Sequence, residues 1–175
     1  AAERGMVQAQ LFMAAMCRDG RWVAKNEAEA ADWFGKAAKQ GHAAAQFHFA
    51  ECCRKGVGVK KNAADAAEWY KKAAEQGHLD AQYRWAECCR YGYGVNKNVS
   101  AAVDWYRKAA DAGHVGAQCG LGEMYEKGIA VSQDTSEAVR RYRQVAEQGH
   151  GLGQYHLGRC YLNGIGISKD VDAAV

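Results

Sequence analysis

The sequence predicts an all-α chain, a right-handed superhelical solenoid of antiparallel helix pairs built on a 36-residue repeat. Three observations predict it. Glycines recur at Gly5, Gly41, Gly77, Gly113 and Gly149, and a second series, Gly20, Gly56, Gly92, Gly128 and Gly164, keeps the same step. Helix-capping side chains recur with them as Asn26, Asn62, Asn98, Asp134 and Asp170. Self-similarity at a fixed period of this length marks stacked supersecondary units, each burying its apolar face only against its neighbours.

One repeat, residues 41–76, shows how the elements arise. Gly41 suits the left-handed position that closes a helix. His42 to Gln46 open helix A, which runs to about Lys55, with Ala45, Phe49, Ala50 and Cys53 marking a buried stripe at helical spacing. Gly56 stops it and Val57-Gly58-Val59 turn the chain. Asn62 caps helix B, with Asp65 as an approximate capping box; Glu29 and Glu137 complete better boxes in two other repeats. Helix B buries Ala66, Trp69, Tyr70, Ala73 and Ala74. Small residues at Ala14, Ala50, Ala86, Gly122 and Gly158 let the paired helices approach closely.

The chain of 175 residues is expected to form one solenoid over residues 1–175, with about four full repeats and partial units at both ends. It opens on Ala1 to Gly5, matching the tail of helix B, and stops at Val175 where a helix B is opening, so it reads as an excerpt of a longer array. With 49% hydrophobic and 25% charged residues and a net charge of +3, the composition is that of an ordinary globular domain and weakly basic for a nucleic-acid binder. No apolar run reaches the roughly 18 residues of a membrane span. The seven cysteines form an odd set, and Cys53 and Cys89 sit one repeat apart, at the roughly 8–10 Å of packed helices, too far for a disulfide. Free thiols and a cytoplasmic location are the expectation.

The run Ala67-Glu68-Trp69-Tyr70-Lys71-Lys72-Ala73-Ala74-Glu75-Gln76-Gly77-His78, followed by Ala81-Gln82-Tyr83 and Gly92-Tyr93-Gly94-Val95, resembles the Sel1-like repeat, a relative of the tetratricopeptide repeats. The resemblance recurs in every repeat and implies an adaptor or scaffold for macromolecular complexes. Trp22 and Ala130 depart from it at the second turn glycine, and Arg141 at the helix B tryptophan, which puts the first and fourth turns in question.

Chemistry fares less well. The glycine turns at 56–58, 92–94 and 164–166 have neither the preceding strand nor the third glycine of a dinucleotide site. His42, His78, His114 and His150 lie one repeat apart, too distant to share a metal. His48 with Cys52 and His156 with Cys160 supply only two ligands each. The recurring Gln10, Gln46, Gln82, Gln118 and Gln154 are expected to bond a neighbouring loop backbone. Some cysteine-rich members of the resembled family bind or hydrolyse β-lactams, with disulfides between helices A and B; here every cysteine is in helix A, and none of the four serines has a lysine three residues on. The basic cluster Arg54, Lys55, Lys60 and Lys61 lies one turn from Glu51, as a solvated face would.

The reading is therefore a non-catalytic scaffold without cofactor or metal. Its partner would be a protein or peptide segment, not nucleic acid or membrane. By analogy with related repeats, the partner would lie on a concave face lined by helix A: Phe47, Glu51 and Arg54, then Tyr83, Arg84, Glu87, Arg90 and Tyr91, then Glu123, Tyr155 and Arg159. The alternatives are a structural spacer within a larger protein and a β-lactam-binding, hydrolase-like repeat protein. Gly116, Gly120 and Gly122 mark the fourth helix A as the expected weak point.

Overall fold

A computed structural model describes the backbone of residues 2–174 and the side chains from Met6 to Ala174. The expectation for Val175 lies outside the described residues; at the other end a single helix, Ala2–Asp19, runs on through Gly5, where the sequence predicts the end of a helix B, so the opening tail is not set off from the first helix A. Those residues form α1 (Ala2–Asp19), α2 (Glu27–Lys39), α3 (Ala43–Lys55), α4 (Ala63–Glu75), α5 (Leu79–Tyr91), α6 (Val99–Asp111), α7 (Val115–Lys127), α8 (Thr135–Glu147), α9 (Gly151–Asn163) and a short 3-10 turn, Asp172–Ala174. Among the described residues there is no strand.

Contacts divide the chain into two compact units, residues 1–88 with 92–97, and residues 89–91 with 98–175. In the first, α1 packs on α2, α2 on α3 and α3 on α4. The opening turns of α5 are joined to it where Gln82 Nε2 donates to the Ala74 carbonyl at 3.4 Å. In the second, α6 packs on α7, α7 on α8 and α8 on α9, with α7 also touching α9. Short connections between packed neighbours make these antiparallel pairs.

Each helix B starts on its expected cap. The Asn26, Asn98 and Asp134 side chains accept from the N–H three residues on, and Asn62 from Ala64 and Asp65. The capping boxes do not close. The cap N–H groups donate instead to the preceding helix A: Asn26 to Cys17, Asn62 to Cys53, Asn98 to Cys89, Asp134 to Tyr125 and Asp170 to Tyr161. That bond ties every pair together at its turn. It leaves the Glu137 carboxylate to Arg140 and Arg141, each at 2.7 Å.

The histidine ladder turns out to be a set of N-caps for helix A. Nδ1 of His42, His78 and His114 accepts from Ala45, Ala81 and Ala117. His150 occupies the same position without such a bond. The glutamines bond the last turn of the preceding helix B, not loop backbone: Gln46 Nε2 donates to the Ala38 carbonyl and Gln118 Nε2 to the Ala110 carbonyl, both at 3.3 Å.

The departures at the turns leave the backbone path intact. Trp22 and Ala130 hold φ of 63° and 56°, the left-handed region that Gly58 and Gly94 occupy at 71° and 73°. At Gly94 a Cβ would stand 2.0 Å from the Ala63 carbonyl oxygen. Glycine there lets the turn press directly on the start of α4. The buried layer is alanine-rich, with Tyr70, Tyr106 and Tyr142 its largest fully enclosed side chains. Arg141, in the tryptophan position, lies 5.6 Å from the Tyr125 ring centroid.

Candidate interaction site

Helix A positions all eleven of the expected contact residues, and the first unit gathers six of them. Phe47 is half-buried, stacked on His78 at 4.8 Å and tilted against Tyr70 at 5.9 Å. One turn on, Glu51 receives Arg54 at 2.8 Å, Lys55 at 2.9 Å and the Tyr70 hydroxyl, with Arg84 at 3.6 Å. Burial alone would push the Glu51 carboxyl up; the bonds from Arg54, Tyr70 and Lys55 outweigh it and hold it at about 2. Arg84 also donates to Glu87 at 2.8 Å, and the Tyr83 hydroxyl lies 3.1 Å from the same carboxylate. Charge is thus concentrated on one face and largely neutralised in place.

Two cavities open on this face, of about 370 and 420 Å³. They are copies of one another at the repeat step. Arg18, Lys25, Ala30 and Phe34 line the first; Arg54, Lys61, Ala66 and Tyr70 line the second. His48, Glu51 and Cys52 of the first recur as Arg84, Glu87 and Cys88 in the second. Each floor is an alanine of helix B, each wall an aromatic ring, and each rim carries an arginine and a lysine. Sequence reasoning found Phe47, Glu51, Arg54, Arg84 and Glu87 but missed Lys25, Lys61 and the helix B wall. The recurrence of lysine and of Phe34 or Tyr70 at the repeat step was the available signal.

The second unit uses its expected residues differently. Arg90, expected on the exposed track, is buried: its guanidinium meets Glu123 at 2.9 Å and lies 5.0 Å from the Tyr91 ring centroid. The reason is that its partner, Glu123, lies 33 residues on in another helix A, so the guanidinium is drawn against that helix. Arg159 pairs with Glu126, a buried carboxylate that also accepts from the Tyr142 hydroxyl at 3.0 Å. Glu126 went unnoticed because its repeat equivalents are Arg54 and Arg90. Tyr155 is exposed and meets His156 edge-on at 5.3 Å. His156 itself stacks on Tyr142 at 4.6 Å, and burial lowers its pKa.

No group of three metal-ligating side chains occurs among the described residues, and His48 packs at a tilt against Phe34, with centroids 4.9 Å apart. No helix among them is long and apolar enough to cross a membrane.

A family model described as Sel1 repeat matches residues 7–42, 43–78, 79–114, 115–150 and 151–175. Among solved structures, the chain is similar to a protective antigen of uropathogenic Escherichia coli strains displaying an SLR fold. The identity is 34% and the TM-score 0.89, over 99% of this chain and 37% of that one. It is also similar to a Sel1 repeat protein from Oxalobacter formigenes, with 39% identity and a TM-score of 0.87, over 96% of this chain and 69% of that one. The chain thus spans little more than a third of the E. coli antigen's length. Among curated proteins no sequence matches it.

Proposed function

The chain belongs to the Sel1 repeat family, and on that footing we propose that it is a non-catalytic scaffold that holds a segment of a partner protein against helix A of its repeats. The family generally serves protein interaction and is typically non-catalytic. The observation that carries the reading here is the convergence of Phe47, Glu51, Arg54, Arg84 and Glu87 around two open cavities in the first unit. Aromatic rings beside guanidinium groups are the combination that most often supplies binding energy at protein interfaces. The histidines and cysteines near these cavities do other work: His48 packs at a tilt against Phe34, and burial pushes the Cys52 thiol up, away from the thiolate form a nucleophile needs. A cytoplasmic setting fits seven cysteines that are all in the thiol form.

The test is capture of partners by the immobilised protein, identification by mass spectrometry, and titration of the purified partner. Replacing Arg54 and Arg84 together by alanine is expected to weaken binding at least about tenfold, with helical circular dichroism preserved. Absence of any stoichiometric partner, or a partner indifferent to both arginines, would count against the reading.

A further inference from the structure

The two cavities of the first unit repeat each other residue for residue, and we infer that they accept two successive anchor side chains of one extended, acidic peptide segment. The inference rests on the scaffold reading above and specifies the partner's chemistry.

Charge gives the sign. Arg54, Lys61 and Arg84 line the second cavity with Glu87; Arg54 is held by Glu51 at 2.8 Å and Arg84 by Glu87 at 2.8 Å, which leaves Lys61 as the cation that decides the sign. In the first, Lys25 is held by Glu27 at 2.8 Å. In the second, Ala63 stands where Glu27 stands in the first, and among the described residues no ion pair engages Lys61. The second cavity therefore offers an ammonium group ready for a carboxylate from outside. Apolar lining lies beneath that rim: Ala30 and Phe34, then Ala66 and Tyr70, form the enclosed backs, and the accessible apolar surface comes from the half-buried Phe47, Cys52 and Val57 in the first cavity and from Tyr93 in the second. The matching ligand unit is an aliphatic side chain with an acidic residue beside it.

Spacing gives the conformation. Equivalent residues of neighbouring repeats lie about 8–10 Å apart when their helices pack. A polyproline-type segment rises about 3.1 Å per residue with three residues per turn, so every third side chain returns to one face after about 9 Å. A β-strand returns to one face every second residue, at about 7 Å or 13 Å, and fits poorly. The segment recognised therefore carries its aliphatic–acidic unit at positions i and i+3.

A random dodecapeptide library displayed on phage, panned on the immobilised protein, tests this directly. The selected peptides are expected to repeat an aliphatic–acidic pair at a three-residue interval. A synthetic copy should lose at least about tenfold in affinity for the Lys25→Glu/Lys61→Glu variant and less than about twofold for Lys39→Glu/Lys71→Glu, which makes the same charge change on helix B surfaces. Selected peptides that are basic or lack acids, or that carry an i, i+7 helical spacing, overturn the inference. So do equal losses on both variants, which would report net charge rather than a site. Peptides that bind yet ignore the Lys25 and Lys61 changes defeat the cavity pair alone, whereas a library that enriches nothing on the wild type defeats the scaffold reading with it.

Discussion

Arg90 and Glu123 meet at 2.9 Å across 33 residues of sequence, and Glu126 and Arg159 repeat the contact across the same 33 residues with the charges exchanged. A step three short of the repeat joins the end of one helix A to the middle of the next. The geometry is fixed by the packing of α7 on α9 and by its counterpart at Arg90; the polarity is free. Evolution of a repeat array can therefore invert a pair without disturbing the backbone, provided both partners change.

The Arg90–Glu123 pair is expected to be strongly coupled. The two side chains are only 10% and 26% exposed, so solvent screens them little. Arg90→Met should destabilise the chain by about 2 kcal/mol, and a double-mutant cycle with Glu123→Gln in urea should return a coupling of at least about 1 kcal/mol. A coupling near zero would place the pair with ordinary surface ion pairs.

Helix boundaries, caps and turns were legible in the sequence because each is a local preference repeated five times. Asn62 needs only the N–H groups two and three residues on, those of Ala64 and Asp65, to declare itself a cap. The capping boxes failed because Asn26 and Asp134 give their own N–H to a carbonyl about nine residues back, a tertiary contact no local pattern reveals. The same holds for Arg90, whose partner lies in another repeat. The glycines of α7 read as weak points, yet a Cβ at Gly122 would stand 2.6 Å from the Tyr142 ring and one at Gly120 3.0 Å from Tyr106. They mark close packing, and α7 carries eight buried residues.

Ala130 is expected to be a site of gain. It holds φ of 56° in a turn where Gly58 and Gly94 carry no Cβ to resist it. An L-residue in that region costs about 1–2 kcal/mol, of which glycine's extra chain entropy takes back about 0.5–1. Ala130→Gly should therefore stabilise by about 0.5–1 kcal/mol in urea. Gly94→Ala should do the reverse and cost about 3 kcal/mol, since its methyl would meet the Ala63 carbonyl. Equal effects at the two positions would show that the left-handed turn is not what limits them.

The thiols should be inert in the folded protein. Burial pushes Cys53 and Cys119 up to about 11, and Cys52 is the one half-buried thiol of the seven. A chromogenic disulfide reagent at pH 7.5 is expected to modify at most Cys52 within minutes, and all seven once the chain is unfolded in guanidinium. Fewer than seven in the unfolded chain would reveal a disulfide.

Stability should fall on mild acidification, and the histidines set where. Burial lowers His48, His78 and His156 in the folded chain. His78 has a further constraint: Nδ1 accepts from the Ala81 N–H at 3.3 Å, which only the neutral ring can do, and a positive charge there would face a helix N-terminus. A folded-state value below the unfolded one means that the unfolded chain binds protons first. The stability these groups contribute is therefore complete above about pH 6.5, the unfolded histidine value, and is lost as the pH falls toward their lowered folded values. Glu51, held at about 2, adds a second and separate loss that begins as the pH falls into the ordinary carboxylate range and runs down toward about 2. The thermal midpoint should thus be level from pH 8 to about 7, decline as the pH falls below about 6.5, and fall again below about 4.5. His78→Asn keeps an N-cap acceptor without a titrating group, at the expense of the stack on Phe47. It should lower the midpoint at pH 8 and flatten the decline below about pH 6.5. A variant whose acid profile parallels the wild type would show that the His78 cap does not carry that step.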